Sequence, residues 1–359
     1  MKGDKDLQVT SPAPRDVWRT LLQSDSRAII SQTPEWIDCL CKTEPYLDAT
    51  RLYETARGRK IIVPMVRRKG LPQALATEAS LPHGWGIGGL IAEGGARSED
   101  IHAVMADLAD RPVLRTTVRP DPLGADLWEA SVPPDFVKVP HLTHVLDLSG
   151  GFKSVWTERF SSKTRTKIRR AERSGLVVEC GTEGNPVSVF YDLYIRWLDQ
   201  RARQRRIPIA LARWLGRRRE PLRKFESVAQ AFGDACRIWI ARLDGQPVAA
   251  SILLIFGGNA VYWRNASDKE SAGSTRANDL LQRLMIEDAC DAGCRYYHMG
   301  ESGGVASLMH FKSRFGAVPY RSFEYYRERL PFTNVADWVR ELGNRIEEKL
   351  RFDPGQAKV

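Results

Sequence analysis

The feature that most constrains the fold is a weak internal duplication. Residues 51–66 predict two strands joined by a tight turn, and residues 237–254 repeat that form around Asp244 and Gly245, a dipeptide typical of two-residue hairpins. In both copies an amphipathic helix and then another strand follow the hairpin. The helices are predicted over 98–110 and 277–291, and the strands over 113–118 and 295–299. This order indicates two copies of one α/β unit.

The length of the chain agrees with two domains. A single core rarely grows beyond about 250–300 residues, and this chain has 359. We predict an α/β (α+β) fold with mixed sheets flanked by helices, and we place the domain boundary at the small residues 149–151. The predicted parts are domain 1 over 1–150, domain 2 over 151–325 and a C-terminal part over 326–359, with a strand over 322–328 and a helix over 333–351 before a polar tail.

A positive excess is confined to one fifth of the chain. Residues 151–224, the basic block, contain 19 Lys and Arg against 7 Asp and Glu, whereas the whole chain has a net charge of +10. Outside the basic block the charges therefore nearly cancel. Such a local surplus indicates a surface for a polyanion, which here means nucleic acid, a nucleotide-linked substrate or acidic membrane. A solvated helix face without a ligand is the alternative.

The basic block is predicted to be largely helical. Its first helix would end at Gly175. The apolar residues that recur at helical spacing and would pack inward are Trp156, Phe160, Ile168 and Ala171. Between 176 and 235 we predict one amphipathic helix, over 186–203, and a Pro- and Arg-rich connection, without a long paired-helix arm.

Several classes of protein are not indicated. The N-terminal residues lack the apolar core of a signal peptide, and the longest apolar run, Val248–Phe256, is too short to span a bilayer as a helix. We therefore expect a cytoplasmic protein with no membrane span. The six cysteines are not spaced as zinc knuckles, and His141 and His144 would face opposite sides of a strand. No metal site is predicted.

Three stretches, over 156–175, 241–267 and 297–316, together resemble one family. They are similar to the Fem-type (FemABX-like) aminoacyltransferases and the related CelD/BioF2-like acetyltransferase group. The most specific element is Phe-Lys-Ser-Arg-Phe-Gly at 311–316. The resemblance implies two tandem N-acetyltransferase-type (GNAT) domains, the first degenerate. It also implies transfer of an acyl group, often an amino acid carried on tRNA, to an amine.

The resemblance places an active site at Phe311 and Lys312. A fixed ammonium there could stabilise the oxyanion formed when an amine attacks an ester, or it could hold a terminal phosphate; a surface lysine on a helix over 304–314 is the alternative. His298 and Glu301 are the candidates for taking a proton from the attacking amine. The residues that we assign to substrate binding are Tyr262, Arg264, Asn278 and Trp36.

Two acyl donors remain open. Coenzyme A enzymes of this fold hold the pyrophosphate on a glycine-rich turn at a helix N-terminus, but residues 271–278 contain one glycine where two are usual. That degenerate turn and the basic block favour aminoacyl-tRNA as co-substrate, without a further cofactor, over acetyl-CoA. The residues assigned to the tRNA acceptor arm or its phosphates are Lys163, Arg165, Lys167, Arg169 and Arg170.

The acceptor is expected to be a small peptide-like or nucleoside-linked amine, as in a compact enzyme of natural-product (antibiotic) biosynthesis. An acyl-CoA-dependent N-acyltransferase and a non-catalytic, polyanion-binding GNAT pair are the alternative functions. The sequence identifies neither the acyl group that is transferred nor the oligomeric state.

Overall fold

The computed structural model describes residues 7–329, which form two compact units. The first unit contains the described residues up to 143 together with 256–259 and 320–329, and the second contains 144–255 and 260–319. The helix predicted over 333–351 and the polar tail lie outside the described residues.

The first unit alternates short strands with helices. Its helices are α1 (Arg15–Ser24), α2 (Pro34–Thr43), α3 (Ser98–Asp110) and α4 (Ala125–Ser131). Its strands up to the middle of the chain are β1 (Gln8–Thr10), β2 (Tyr46–Asp48), β3 (Arg51–Glu54), β4 (Lys60–Val63), β5 (Val66–Arg68), β6 (Thr77–Ser80), β7 (Ile91–Ala92) and β8 (Arg115–Val118).

The next strand, β9 (Val137–Asp147), is long and enters the second unit at His144. The helices that follow are α5 (Gly151–Ser154), which continues into a π-helical turn at Val155–Arg159, α6 (Ser162–Glu172), α7 (Asn185–Arg205), α8 (Ile209–Arg219), α9 (Leu222–Phe232), α10 (Lys269–Thr275), α11 (Ala277–Asp291) and α12 (Ala306–Ser313). The remaining strands are β10 (Val177–Gly181), β11 (Cys236–Leu243), β12 (Gln246–Phe256), β13 (Asn259–Ser267), β14 (Tyr296–Glu301) and β15 (Val318–Glu328).

The first unit contains antiparallel and mixed strand pairing. Strands β1, β3, β4 and β7 pair in that order, and every pair is antiparallel. Strands β15, β8, β6, β5 and β2 also pair in that order, with β6 and β8 parallel. The apolar face of α3 is buried in the core of this unit, as its helical spacing predicts.

The second unit is built on the strand order β10-β11-β12-β13-β14-β9. Its core buries the apolar face of α11 together with inward-facing residues of α6, β12 and α12. Because β14 leads into α12 through a short turn, the predicted active-site residues lie on an element whose position depends on the central strands of the sheet.

The duplicated elements are confirmed. Both hairpins form, with β3 paired to β4 and β11 paired to β12, and the predicted helices 98–110 and 277–291 coincide with α3 and α11. The strand predicted at 322–328 is part of β15. Mixed α/β structure is therefore found in both halves of the chain.

The prediction for residues 176–235 is wrong in one respect. The Pro- and Arg-rich stretch after α7 is not an irregular connection, because it contains the two further helices α8 and α9. Pro208 and Pro221 are the residues that immediately precede them. At a helix start the missing N–H of proline needs no partner, so a proline there marks the beginning of a helix rather than its interruption.

The basic helix is also shorter than predicted. A break at Phe160 and Ser161 separates the π-helical turn from α6, and the Ser161 side chain caps α6 by accepting a hydrogen bond from the Thr164 N–H at 3.2 Å. Phe160 and Ile168 are nevertheless buried, as the spacing predicts. The chain leaves the helix through Gly175, whose φ of +76° favours glycine.

Candidate active site

Lys312 is buried at the end of β14. Its side chain is 2% exposed, and its Nζ donates hydrogen bonds to the carbonyl oxygens of Gly300 at 2.7 Å and Glu301 at 2.9 Å. Gly300 adopts a φ of +73°, a conformation that favours glycine, where the strand turns away toward α12. Lys312 is therefore not the surface lysine that the sequence left as an alternative.

The electrostatic state of Lys312 follows from this burial. Burial lowers the pKa of its ammonium to about 7, although the neighbouring Glu301 carboxylate acts in the opposite direction and raises it. The ammonium has three N–H donors, and the two carbonyls accept two of them. One donor remains for a group that binds beside the strand end.

A histidine and a serine lie beside this lysine. His144 Nδ1 and Ser302 Oγ are 2.9 Å apart, and both side chains are buried. Burial, and then the positive charge of Lys312, lowers the pKa of His144 to about 4, so that its imidazole is neutral at pH 7. Within residues 7–329 the buried His144 Nε2 has no hydrogen-bond partner. We refer to Lys312, His144 and Ser302 as the lysine cluster.

The other predicted catalytic residues lie near this cluster along the chain, with different environments. Phe311 is buried against Phe315, with ring centroids 5.3 Å apart, and the Arg314 guanidinium lies 4.8 Å from the centre of its ring. Phe311 therefore packs into the core of the second unit and holds α12, the helix that carries Lys312, against it. His298 on β14 is also buried, and burial lowers its pKa to about 4, which leaves it neutral but weakly basic at pH 7.

Arg264 and Tyr262 lie on β13 as predicted, and both are partly buried. The Arg264 guanidinium donates to Glu220 Oε1 at 2.7 Å, and the other oxygen of Glu220 lies 2.9 Å from the Lys224 ammonium. Burial would raise the pKa of Glu220, but Arg264 and Lys224 together lower it to about 2. Arg264 is thus held within an ion network of the second unit.

Asn278 connects two elements of the second unit. Its Nδ2 donates to Ser267 Oγ at 3.2 Å, and its Oδ1 accepts from Asn265 Nδ2 at 3.1 Å. These bonds join the first turn of α11 to β13. The structure accordingly explains Asn278 by an internal contact, and its assignment to substrate binding stays a prediction.

Trp36 requires a correction. It lies in the first unit, is 1% exposed, and its Nε1 donates to the carbonyl oxygen of Trp85 at 2.8 Å. The two rings meet edge to face, 5.8 Å apart. The assignment of Trp36 to substrate binding is wrong because the indole is a core side chain whose polar atom is satisfied internally.

Arg165 makes contacts inside the second unit. One guanidinium nitrogen, Nη1, donates to the carbonyl oxygens of Trp156, Thr157 and Phe160 at 3.1, 3.1 and 2.7 Å. These carbonyls belong to the π-helical turn and the break that follows it. Arg165, in the first turns of α6, therefore caps the end of the preceding helix by donating to its carbonyl oxygens. The structure thus gives Arg165 an internal contact, and its assignment to tRNA phosphates stays a prediction.

The rest of the basic helix faces outward. Lys163, Arg169 and Arg170 are exposed, and Lys167 is partly buried. Burial, followed by the positive charge of Arg314, lowers the pKa of Lys167. The assignment of these four residues to tRNA phosphates stays a prediction.

An open pocket of about 560 Å³ lies between α6 and α10. Three arginines and four hydroxyl-bearing residues line it: Arg169, Arg170, Arg173, Thr166, Ser174, Ser274 and Thr275. Guanidinium and hydroxyl groups are the usual ligands of phosphate oxygens. This arginine pocket includes Arg173, which the sequence analysis did not assign to the site.

The segment 271–278 does not form a glycine-rich phosphate loop. Residues 269–275 form the short helix α10, and Arg276 in a left-handed conformation (φ +61°) connects it directly to α11. The segment contributes two hydroxyl groups, of Ser274 and Thr275, to the arginine pocket.

The comparisons with known proteins agree with this architecture. The acetyltransferase (GNAT) domain family matches residues 158–313. The UDP-N-acetylmuramoylpentapeptide-lysine N(6)-alanyltransferase of Weissella viridescens is 25% identical over 163 residues, which cover 45% of this chain and 44% of that relative. The match thus spans less than half the length of the relative.

Two solved structures share the fold over most of the chain. The structure of FemX aligns with a TM-score of 0.63 and 11% identity, over 91% of this chain and 99% of FemX. A tandem GNAT protein from the clavulanic acid biosynthesis pathway aligns with a TM-score of 0.51 and 14% identity, over 91% of this chain and 99% of that protein. The fold is that of tandem GNAT-type proteins. Within that class, the resemblance to the Fem-like group is confirmed.

Two further observations concern residues 7–329 only. No helix among them is both long and apolar enough to cross a membrane. They also contain no group of three or more His, Cys, Asp or Glu side chains that could hold a metal ion.

Proposed function

We propose that this chain is an N-acyltransferase that moves an aminoacyl group from aminoacyl-tRNA to the amine of a small peptide-like or nucleoside-linked acceptor. The observation that carries the proposal is the buried ammonium of Lys312, which is held at the end of β14 by two carbonyls and has one N–H donor left. A cytoplasmic location, where charged tRNA is found, is part of the proposal.

The proposed chemistry uses that remaining donor. The acceptor amine attacks the ester carbonyl of the aminoacyl group, a C–N bond forms, and the carbonyl oxygen becomes an oxyanion. The Lys312 ammonium donates to this oxyanion, a contribution of about 10²–10³ in rate for comparable donors. The ester C–O bond then breaks, and the proton that the amine loses ends on the ribose oxygen of the tRNA. His144 and His298 are neutral at pH 7, so neither adds a competing positive charge.

The arginine pocket supports tRNA as the donor. Three guanidinium groups in one pocket suit a phosphate-rich ligand, and the helical course of 269–275 replaces the backbone loop that would hold the pyrophosphate of coenzyme A. The alanyltransferase relative is named for transfer to a lysine of a nucleotide-linked pentapeptide. That name supports an amine on a peptide-like, nucleotide-linked acceptor for this chain as well.

An acyl-CoA-dependent N-acyltransferase is the second candidate, because the matched domain family is described as an acetyltransferase. A non-catalytic polyanion-binding pair of domains is the third. Purified protein with charged tRNA, cell extract as acceptor source and a radiolabelled amino acid distinguishes them. Transfer that ribonuclease abolishes is expected; transfer from acyl-CoA that resists ribonuclease would support the second candidate, and absence of transfer from either donor would support the third.

A further inference from the structure

A second basic surface lies on the helical hairpin of α7 and α8. We propose that it binds RNA, as the docking surface for the body of the tRNA whose charged end reaches the arginine pocket. This inference rests on the proposed function for the identity of the RNA. It assigns a role to the part of the basic block that the lysine cluster and the arginine pocket do not use.

The hairpin is a well-defined element. Gly216 of α8 lies so close to α7 that an added Cβ would come within 2.3 Å of Leu198 Cδ1. Two hydrogen bonds of 2.7 and 2.6 Å join Arg213 to Asp199, and the Tyr194 hydroxyl donates to the Gly216 carbonyl at 3.2 Å. The two helices therefore pack tightly, and side chains that point away from this contact are held on a fixed scaffold.

The outward side chains at the end of α7 and along α8, over residues 201–219, carry one sign of charge. Residues 201–219 contain eight arginines and no Asp or Glu. The arginines whose side chains are exposed are Arg203, Arg205, Arg206, Arg213, Arg217, Arg218 and Arg219. Like charges at this density repel one another, and a polyanion bound to this surface would reduce that repulsion.

An exposed tryptophan lies within this charge. Trp214 is 55% exposed, and the Arg218 guanidinium lies 5.5 Å from the centre of its ring. Single exposed apolar side chains are common on protein surfaces, but this aromatic ring lies among guanidinium groups. Proteins that bind RNA use this combination, because bases stack on aromatic rings and guanidinium groups bind phosphates.

The hairpin and the arginine pocket are linked by α10. Gln200 of α7 contacts the start of α10 through its hydrogen bonds with Asp268 and Lys269, whereas Ser274 and Thr275 at the other end of α10 line the pocket. A helix of seven residues is about 10 Å long. A ligand that occupies both surfaces must therefore be an extended polyanion, which agrees with RNA.

An acidic membrane is less well suited to this surface. Helices that bind at a membrane interface bury a continuous apolar face, but the exposed large apolar side chains of α8 are Leu211 and Trp214 alone. The charge on the surface is spread over both helices and the turn between them. RNA is thus the partner that the observations favour, and membrane binding becomes an outcome of the test.

The experiment measures binding of deacylated tRNA to the full chain across a range of salt concentrations. The variant R217Q/R218Q removes two exposed charges from the hairpin, and R57Q/R68Q removes two exposed charges from the first unit as a matched control. We expect the hairpin variant to bind tRNA about tenfold more weakly, with a slope of log affinity against log salt that is smaller by about 1.5. The control should retain the affinity and slope of the parent.

A third variant separates stacking from charge. Trp214→Ala should weaken tRNA binding about fivefold or more while leaving the salt slope unchanged, since stacking on an aromatic ring involves no counterion release. Thermal unfolding is the control for folding: each variant should unfold at the same midpoint temperature as the parent. Equal tRNA binding by the parent and both hairpin variants would overturn the proposal. So would loss of binding to phosphatidylglycerol vesicles in R217Q/R218Q with tRNA binding unchanged.

The inference and the proposed function can fail separately. If transfer is sensitive to ribonuclease and R217Q/R218Q leaves the KM for tRNA unchanged, RNA binding by the hairpin is refuted and the proposed reaction is retained. Conversely, the protein could transfer only from acyl-CoA and still need the hairpin to bind tRNA. That result would retain RNA binding by the hairpin and refute aminoacyl-tRNA as the donor.

Discussion

At the scale of single residues, Lys312 has the property that an electrostatic catalyst needs. Its ammonium is desolvated and oriented before substrate arrives, because the carbonyls of Gly300 and Glu301 hold it in place. A donor that is already oriented requires no rearrangement as charge develops on the reacting oxygen. The same burial lowers the pKa of Lys312 to about 7, so this lysine changes between its charged and neutral forms within the physiological range of pH.

Replacement of Lys312 by methionine keeps the volume of the side chain and removes its charge. We expect K312M to lower kcat for acyl transfer by about 10²–10³ with little change in KM. Because the lysine loses its proton above a pKa of about 7, kcat/KM of the parent should decline above that pH, and the decline should be absent in the variant. Lys153 is an exposed lysine of the same unit, so K153M is the control. It should retain the activity and the pH profile of the parent. A decline above pH 7 that persists in K312M would show that another group titrates.

His144 makes the stability of the folded protein depend on pH. Its folded pKa of about 4 lies below the ordinary value of 6.5 because the ring is buried beside Lys312. Between these two values the unfolded chain binds a proton that the folded chain does not, so folding stability decreases as pH falls from 6.5 to 4. We expect H144Q to lose less stability than the parent over that interval in urea unfolding. Curves that stay parallel from pH 7 to pH 4 would contradict the assignment.

At the scale of elements, α6 and α12 are directly connected. The Ser161 N–H and the Thr164 hydroxyl both donate to the Arg314 carbonyl, at 2.9 and 3.1 Å. The Arg314 side chain in turn pairs with Asp279 of α11. The helix with the basic face is therefore attached to the end of the helix that carries Lys312.

The serine cap tests this connection. Ser161→Ala removes the side chain that accepts from the Thr164 N–H, whereas Ser162→Ala changes a neighbouring exposed serine. We expect S161A to lower the free energy of unfolding by about 1 kcal/mol and to raise KM for the aminoacyl donor more than it lowers kcat. S162A should differ from the parent in neither respect. An unchanged donor KM in a destabilised S161A would show that the cap supports only the fold.

Elements were easier to predict from the sequence than the site was. The hairpins, α3 and α11 follow from local periodicity and from the Asp244-Gly245 turn, signals contained within a few residues. The helices after Pro208 and Pro221 were missed because proline at a helix start and proline in a loop have the same local appearance. His144 and Ser302, 158 residues apart, meet only because β9 and β14 pair in one sheet, and no local pattern contains that information.

At the scale of the whole molecule, the positive charge is concentrated in one part of the chain. The basic block carries more positive charge than the chain's net +10, and the remainder is close to neutral. Within the block the structure distinguishes internal arginines such as Arg165 from those that face the arginine pocket. The long-range attraction of a polyanion is thereby directed to the second unit, on the side of α6 and α10.

The arginine pocket provides the test of donor binding at this scale. The variant R169Q/R170Q/R173Q removes the three guanidinium groups of the pocket, and R57Q/R68Q/K69Q removes three exposed charges from the first unit. If the pocket holds tRNA phosphates, the first variant should raise the tRNA KM at least tenfold and reduce the salt slope by about 2, since each lost phosphate contact reduces it by about 0.7–0.9. The control should leave both unchanged, because it makes the same change in net charge far from the pocket in sequence. A rise in the acceptor KM alone would instead assign the pocket to the phosphates of a nucleotide-linked acceptor, and the donor would then have to be held by the remaining basic residues of the second unit.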